Sequence, residues 1–374
     1  MLDSLIEEEG DYQEAEGLKL PRQSSLCLGF EQQEEYLLNL FNGDKLPHAL
    51  IFSGPKGIGK STFAFRLTRF LLKNKKNEDE GNGLFGEELP NKPVKSLDVS
   101  SDDPVFSKVG SGGHPDLLTI ERAVDAKKGT PKNNLDVDTL RQVTPFLRMT
   151  ASEGGWRVVL IDDADTMNRN AQNALLKILE EPPKKTLIIL ICHRIGAMIP
   201  TIRSRCQTLH CPGLSSENLQ NLLKKAIHDP LTLDDEALLL SMSGSQIGSA
   251  LQLYEEGGLE IMSEIFSIFT EWPKFKWVSV HKLADQLSRP GQERVYKVFV
   301  SGMFWLTQTI TFAAARNQTL GKPLNQGVFA SMATHYSLEQ WLGICDKLKQ
   351  HFDQVDFANL DKKQSVLAAF RYFE

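Results

Sequence analysis

The chain is 374 residues long, which is enough for two or three domains of about 100–200 residues each. Its 42 Lys and Arg residues are outnumbered by 48 Asp and Glu residues, and the net charge of −6 argues against a protein that binds polyanions through a basic tail. The five cysteines are too few and too scattered for a disulfide framework, so we expect reduced thiols in a cytosolic protein.

The start of the chain does not have the composition of a secretory signal. Residues 1–16 contain seven acidic side chains and no Lys or Arg, and we predict an acidic leader over residues 1–28. Residues 298–315 carry no charge, so by length alone they are a membrane candidate. Because hydroxyl and amide side chains interrupt this stretch and no polybasic loop flanks it, we predict a buried helix.

Strand and helix patterns alternate in the first half of the chain. Short apolar runs predict buried strands, and apolar residues spaced three or four positions apart predict the helices between them. This alternation predicts an α/β fold with a doubly wound parallel sheet. The predicted strands cover residues 49–52, 116–120, 157–161 and 186–191; the predicted helices start near residue 32 and cover 62–72, 137–147 and 168–181.

Two regions depart from this alternation. Residues 73–113 are rich in Gly, Asn, Lys and Glu and include three prolines, which predicts a flexible surface insertion. After Pro212 the strand patterns stop, and residues 215–374 have the spacing of helices joined by short breaks that contain Gly or Pro. The second half of the chain is therefore predicted to be helical.

The first predicted strand leads into a phosphate-loop motif. Residues 54–61, GPKGIGKS, fit the pattern G-x-x-x-x-G-K-[ST]. Glycines let successive backbone N–H groups turn towards phosphates, and the following helix adds the positive end of its dipole. An ordinary glycine turn is the alternative, but the strand before the motif and the helix after it favour nucleotide binding. The predicted nucleotide-binding residues are Gly54, Gly57, Gly59, Lys60, Ser61, Thr62 and Asp162, with Lys60 between the β- and γ-phosphates and Ser61 and Asp162 on magnesium.

The third predicted strand ends in a group of carboxylates, Asp162-Asp163-Ala164-Asp165. A carboxylate at the end of a strand beside the phosphate loop can join the magnesium shell, and we assign Asp162 to that role. Asp163 stands where ATPases of this class usually carry a water-activating Glu, and its side chain is one methylene shorter. Asp163 is therefore the candidate base; the alternative that Asp163 and Asp165 cap the next helix stays open.

Three further segments carry a resemblance to a known family. They are His114–Leu117 (HPDL), Asn173–Pro183 (NALLKILEEPP) and Thr201–Cys206 (TIRSRC). Together with the two nucleotide motifs, they resemble bacterial clamp-loader subunits of the AAA+ superfamily, and the HPD and SRC motifs favour the delta-prime subunits of DNA polymerase III. The resemblance covers residues 29–255 well and rests beyond that on length and helical character.

The resemblance implies a domain plan. It implies an AAA+ nucleotide-binding domain over residues 29–212, a small helical lid over 213–265, and a helical collar over 266–374 that joins subunits into a ring. It further implies a component of the DNA polymerase III holoenzyme in the bacterial cytoplasm that contains no polymerase site of its own. Its implied partners are the gamma/tau and delta subunits in a hetero-pentameric ring, with the sliding clamp and primer–template DNA reached through that assembly and no membrane.

The resemblance also assigns a role to Arg205. This residue matches the arginine finger of the SRC motif, which reaches the ATP site of the neighbouring subunit and stabilises charge on the γ-phosphate. A surface arginine that only forms ion pairs is the alternative. Lys177, Lys184 and Lys185 are candidates for contact with DNA phosphates, or are solvated lysines that complement a helix dipole.

The chain departs from the family pattern at three places. Related subunits carry four zinc-binding cysteines after the phosphate loop, and because residues 73–113 have none, we predict no zinc site. Many delta-prime subunits have lost the phosphate loop, which is complete here. Residues 244–251, GSQIGSAL, lack the lid Arg of active clamp-loader ATPases.

These departures suggest a chain that holds ATP or ADP with magnesium but does not hydrolyse ATP efficiently. The alternative is an active ATPase motor of the gamma/tau type, in which Lys60, Asp162 and Asp163 are catalytic. A nucleotide kinase is a third hypothesis, but it would need several Arg residues in the lid segment.

Overall fold

A computed structural model describes most of the chain and divides it into two compact units. The first unit comprises the described residues up to 226 together with 246–248, and the second comprises the described remainder of 227–374. Residues 1–19 of the predicted leader and 75–92 of the predicted insertion lie outside the described part. The described residues are 20–74, 93–123, 134–135, 137–152, 155–227, 229–244, 246–316, 318–321, 323–324, 327–358 and 360–374.

The first unit is built on a five-stranded parallel sheet. Its spatial order is β2-β3-β4-β1-β5, and every neighbouring pair is parallel. Strands β1, β3 and β4 are buried along their whole length, as expected for the middle of a sheet that is covered on both faces. In chain order the strands are β1 (Ala49–Ser53), β2 (Leu117–Ile120), β3 (Arg157–Ile161), β4 (Thr186–Cys192) and β5 (Gln207–His210).

Helices alternate with these strands. The helix after β1 buries most of its side chains, and the helix after β3 packs one apolar face in the core. Because all five strands are parallel, their carboxyl ends meet at one edge of the sheet, where the candidate site lies. The helices of this unit are α1 (Glu31–Asn42), α2 (Lys60–Lys73), α3 (Pro104–Gly110), α4 (Val137–Leu140), α5 (Val143–Arg148), α6 (Arg169–Glu180), α7 (Pro200–Arg203) and α8 (Ser216–Ala226).

Three features of this unit differ from the sequence predictions. The single helix predicted over 137–147 is wrong, because α4 and α5 are separate and Pro145 has no N–H to bond the carbonyl four residues earlier. Strand β5 was not predicted, since only Leu209 among its residues is buried. Part of the predicted insertion is held in place: α3 lies within it, and the side chain of Asn42 bonds both the N–H and the carbonyl of Val94.

The described part of the second unit is helical and has one apolar core. Phe269, Phe299, Trp341, Phe352 and Phe370 are all fully buried in that core. The fold-class prediction is thus confirmed: a parallel α/β unit is followed by a helical one. The helices are α9 (Leu233–Ser243), α10 (Ile247–Glu255), α11 (Gly258–Phe269), α12 (Trp277–Leu287), α13 (Glu293–Arg316), α14 (Val328–His335), α15 (Leu338–Ala358) and α16 (Lys362–Arg371). The division of this region into lid and collar stays a prediction.

Helix α13 contains the uncharged stretch that was predicted to be a buried helix. In the described part of the chain it is the one helix long and apolar enough to cross a membrane by length and composition. However, 67% of its most apolar 18-residue window is buried inside the fold. Burial of this extent is typical of a core helix.

Candidate functional site

The phosphate-loop motif joins β1 to α2 at the carboxyl edge of the sheet. Gly57 and Gly59 have φ angles of +74° and +92°, a left-handed conformation that glycine adopts without strain. A side chain at Gly54 would collide with the carbonyl oxygen of Cys211, which closes β5 onto the loop. Helix α2 begins at Lys60 directly after Gly59, so its unpaired N–H groups and its positive dipole end face the loop. This geometry suits the binding of phosphate.

Lys60 is folded back onto its own loop. Its Nζ donates to the carbonyl oxygens of Gly54, at 2.8 Å, and Pro55, and it lies 2.8 Å from Nδ1 of His193. Only 3% of the residue is exposed, and burial lowers the pKa of Lys60 from 10.5 to about 8 although nearby acidic groups oppose the shift. Phosphate oxygens would therefore compete with three acceptors of this chain for the ammonium group.

Ser61 and Asp162 are brought together at the start of α2. The Ser61 hydroxyl donates to Oδ2 of Asp162 over 2.9 Å. Burial, followed by the charge of Asp163, raises the pKa of Asp162 to about 6. A hydroxyl and a carboxylate are oxygen ligands of the type that magnesium prefers, and a bound cation would favour the ionised carboxylate. These two side chains therefore fit the predicted magnesium site.

Asp163 is held between two nitrogen groups. Its Oδ1 lies 2.6 Å from Nε2 of His193, and its Oδ2 lies 2.7 Å from Nε of Arg122. Burial alone would raise the pKa of Asp163, but the hydrogen bond from His193 and the charge of Arg122 lower it to about 2. Each carboxylate oxygen thus faces a nitrogen group, and the low pKa makes the group a weak base.

The capping alternative for Asp163 and Asp165 is wrong. Helix α6 is capped by Asn168, whose side chain accepts from the N–H of Ala171 over 2.9 Å. Asp163 precedes a short 3₁₀ turn and makes no side-chain capping bond to it. Asp165 instead accepts from the backbone N–H of His193 over 3.0 Å. The side chains of Asp163 and Asp165 therefore bind groups of the candidate site rather than the end of a helix.

His193 connects the phosphate loop to the carboxylates, a role that the sequence analysis missed. Because a charged Lys60 can only donate, Nδ1 of His193 accepts from it and Nε2 carries the proton donated to Asp163. His193 directly follows β4, and Arg122 follows β2. The signal that could have identified both is their position just after a strand, on the edge where Asp162 also lies.

The segment where the lid Arg is missing touches the phosphate loop. The N–H of Gly248 donates to the carbonyl of Gly57 over 3.3 Å, and a Cβ at Gly57 would lie 3.3 Å from Cβ of Gln246. Residues 246–248 therefore cover this side of the loop. Gln246 is the side chain that approaches the loop there. Residues 246–251 contain no arginine that could take the place of the lid Arg.

The contacts of Arg205 are with residues outside the phosphate loop. Its Nη2 is 2.8 Å from Oε1 of Glu180, and its Nη1 donates to the carbonyl of Thr201 over 3.0 Å and contacts Oγ of Ser204. The side chain is 35% exposed. Among the described residues, its partners all belong to the end of α6 or the turn around α7. Arg205 is thus not part of the candidate phosphate site described above.

Among the described residues, the cysteines of the first unit do not belong to a cluster of metal ligands. Within the described ranges, no group of three or more His, Cys, Asp or Glu side chains could hold a metal ion. Burial raises the pKa of the Cys192, Cys206 and Cys211 thiols to about 12, which keeps them protonated. The prediction that the chain binds no zinc stays a prediction.

Comparisons with known proteins point to one family. The family model described as "DNA polymerase III, delta subunit" matches residues 30–215. The Pseudomonas aeruginosa DNA polymerase III subunit delta′ is 33% identical over 219 residues, 58% of this chain and 59% of that protein. The Escherichia coli subunit delta′ is 26% identical over 309 residues, 81% of each chain. The Escherichia coli DNA polymerase III subunit tau is 27% identical over 233 residues, 60% of this chain and 32% of that protein.

Proposed function

Because the chain belongs to the delta-prime family of DNA polymerase III subunits, we propose that it is a clamp-loader subunit that binds a nucleotide without hydrolysing it efficiently. The observation that carries the second half of this proposal is the state of Asp163. A general base needs a pKa near the working pH and an orientation that reaches the proton it removes. Asp163 has its two oxygens on His193 and Arg122 and a pKa of about 2.

The proposed nucleotide site uses the residues that the sequence motif predicts. Gly57 and Gly59 shape the loop, Lys60 leaves its carbonyl acceptors to reach the phosphates, and Thr62 offers a backbone N–H in the first turn of α2. The carbonyl of Cys211 packs against Gly54 of the loop, where no side chain fits. Magnesium, held by Ser61 and Asp162, would neutralise oxygens of the β- and γ-phosphates of ATP, or of the β-phosphate of ADP. The bound nucleotide stabilises the fold by mass action.

Arg205 is proposed to act on a neighbouring subunit. A guanidinium group has five N–H donors, and the contacts to Thr201, Ser204 and Glu180 use three of them. The remaining donors can face the γ-phosphate of a nucleotide held by another chain, where a permanently charged bidentate donor stabilises developing charge. The partial exposure of the side chain is consistent with such a role in trans.

The partners follow from the family and are proposals for this chain. We place it in the bacterial cytoplasm in a hetero-pentameric ring with gamma/tau and delta subunits, which loads the sliding clamp on primed DNA. Lys177 is exposed in the last turn of α6 and, with Lys184 and Lys185, is a candidate for DNA phosphates. The net charge of −6 argues that most of the DNA affinity comes from the assembly.

A second candidate function is an active motor subunit of the gamma/tau type. The complete phosphate loop and the similarity to the Escherichia coli tau subunit favour it. It would require Asp163 to leave both His193 and Arg122 before it could activate water.

The two candidates separate on hydrolysis in the reconstituted clamp loader, where a neighbouring subunit can supply an arginine finger. On the isolated chain, binding of a fluorescent ATP analogue with magnesium should be lost in Lys60→Ala and kept in Lys45→Ala, a change at an exposed lysine before β1. In the loader, hydrolysis at this chain's site should stay at background, so Asp163→Asn should leave total turnover unchanged. Absence of binding by the native chain would contradict the nucleotide proposal, whereas turnover that Asp163→Asn abolishes would establish the motor.

A further inference from the structure

The backbone of Arg205 is fixed by the core of the first unit. Ile202 and Cys206, on either side of it, are buried in the apolar cluster that also includes Leu179 from the end of α6. The N–H groups of Arg205 and Cys206 both donate to the carbonyl of Ile202, over 3.0 and 3.1 Å. The Cα of Arg205 is therefore held rigidly while its side chain leaves the core.

The guanidinium group is held at its far end by acceptors from two elements. The Thr201 carbonyl and the Ser204 hydroxyl contact Nη1 from the turn around α7. Glu180 contacts Nη2 from α6 over 2.8 Å. Of these acceptors only Glu180 is charged, and charge-assisted hydrogen bonds are the stronger class. The direction of a long flexible side chain is thus set largely by one carboxylate.

The position of Glu180 is not explained by the stability of its own helix. It is the last residue of α6, where the carbonyl end of the helix dipole is negative and disfavours a carboxylate. The next residue, Glu181, is also acidic and exposed, but it forms no ion pair in the described part of the chain. The ion pair with Arg205 distinguishes Glu180 from this neighbour.

We propose that Glu180 is a positioning residue that holds the Arg205 guanidinium in the orientation from which it meets the phosphates of a neighbouring subunit. The proposal rests on the role in trans given above to Arg205. Glu180 touches no nucleotide itself. It lowers the cost of ordering the arginine side chain before the subunits meet, which is the usual benefit of preorganisation.

The test is a double-mutant cycle in the reconstituted clamp loader with sliding clamp and primed DNA. The quantity measured is the Arg205-dependent turnover of ATP, defined as the turnover of the native loader minus that of the Arg205→Ala loader. Glu180→Gln removes the charge and keeps the shape, and Glu181→Gln is the matched control. Unfolding midpoints of the isolated variants monitor stability.

The expected result is a loss of kcat confined to one variant. Glu180→Gln should retain about a fifth to a half of the Arg205-dependent turnover, the range for a partly exposed ion pair, with KM for ATP and the unfolding midpoint unchanged. Glu181→Gln should match the native chain. In the Arg205→Ala background, Glu180→Gln should have no further effect, because the residue acts only through Arg205.

The failures of the two proposals are distinguishable. If Arg205→Ala lowers turnover and Glu180→Gln does not, or lowers it equally in both backgrounds, the positioning role is wrong and the role in trans stands. If Arg205→Ala leaves turnover at the native level, the role in trans is itself wrong, and with it the positioning role.

Discussion

The His193 ring lies 2.6 Å from the Asp163 carboxylate and, through its other nitrogen, 2.8 Å from the ammonium group of Lys60. One imidazole thus joins the two side chains that the sequence motifs place in different roles. With Arg122 on the second oxygen, Asp163 is engaged as a structural anion. This network is the physical basis of our proposal that the chain binds a nucleotide without hydrolysing it efficiently.

The first prediction concerns stability in acid. The pKa of Asp163 is about 2 in the fold against an ordinary value of 3.8. A depressed pKa means that the ionised carboxylate stabilises the fold above about pH 4 and that this stabilisation is lost as the pH falls towards 2. Asp163→Asn should therefore lower the free energy of unfolding at pH 7 by about 1–2 kcal/mol.

Urea unfolding at several pH values checks this, with Asp102→Asn at an exposed position as the control. The difference between native and Asp163→Asn should shrink between pH 4 and 2. A difference that persists unchanged at pH 2 would show that the ionised carboxylate is not the source.

The second prediction concerns Lys60 in alkali. Its pKa is about 8 in the fold and 10.5 ordinarily, so between these values the folded chain has released a proton that the unfolded chain keeps. The free energy of unfolding therefore rises with pH between about 8 and 10.5. Compared with Lys60→Met, which cannot titrate, the native chain should gain stability from pH 8 to 10 in urea unfolding. Parallel stability curves for the two chains would refute the buried ammonium.

The third prediction concerns the conformation of the phosphate loop. Gly57 has φ +74°, and a Cβ there would approach Gln246. Gly57→Ala should destabilise the chain by about 1–2 kcal/mol through backbone strain and weaken nucleotide binding. Gly196→Ala, where nothing lies within 4 Å of the added Cβ, is the control for thermal unfolding and nucleotide titration. Equal behaviour of the two variants would contradict the assigned loop geometry.

The fourth prediction concerns the ordered end of the predicted insertion. Asn42 bonds the backbone of Val94 twice, over 2.9 and 3.0 Å. Asn42→Ala should speed amide hydrogen exchange at residues 94–97 and destabilise the chain by about 1 kcal/mol, since two backbone groups lose partners. Asn39→Ala, at an exposed position on the same helix, should do neither. If exchange at residues 94–97 is equally fast in both variants, a contact other than Asn42 holds the segment.

The sequence predicts those parts of the fold that the residues of one segment determine without contacts to distant residues. β1, β3 and β4 are apolar on both faces, so their runs of Val, Ile and Leu identify them without knowledge of their neighbours. Strand β5 is not predicted from the sequence because it is short and mostly polar. The helix predicted over 137–147 is interrupted at residues 141–142, because Pro145 has no N–H to bond the carbonyl of Arg141, although the apolar spacing continues.

The residues of the candidate site differ in the same way, since some are predictable from one local segment and others are not. The phosphate loop is contiguous in sequence and carries a motif, whereas His193 and Arg122 meet Asp163 only because β2, β3 and β4 are adjacent in the sheet. Strand order is not encoded in any local pattern. The pairing of Arg205 with Glu180 likewise depends on how α6 and the turn around α7 pack in one core.

In the proposed function, this chain holds a silent nucleotide site and acts on its neighbour through Arg205. Both parts are tested by ATP turnover of the reconstituted clamp loader on primed DNA, with native chain, Lys60→Ala or Arg205→Ala, and with Arg203→Ala as the control at an exposed neighbouring arginine. Arg205→Ala should lower turnover by about tenfold or more at the site it serves, while Lys60→Ala and Arg203→Ala should remain near the native rate. Equal losses for Lys60→Ala and Arg205→Ala, or no loss for Arg205→Ala, would contradict it.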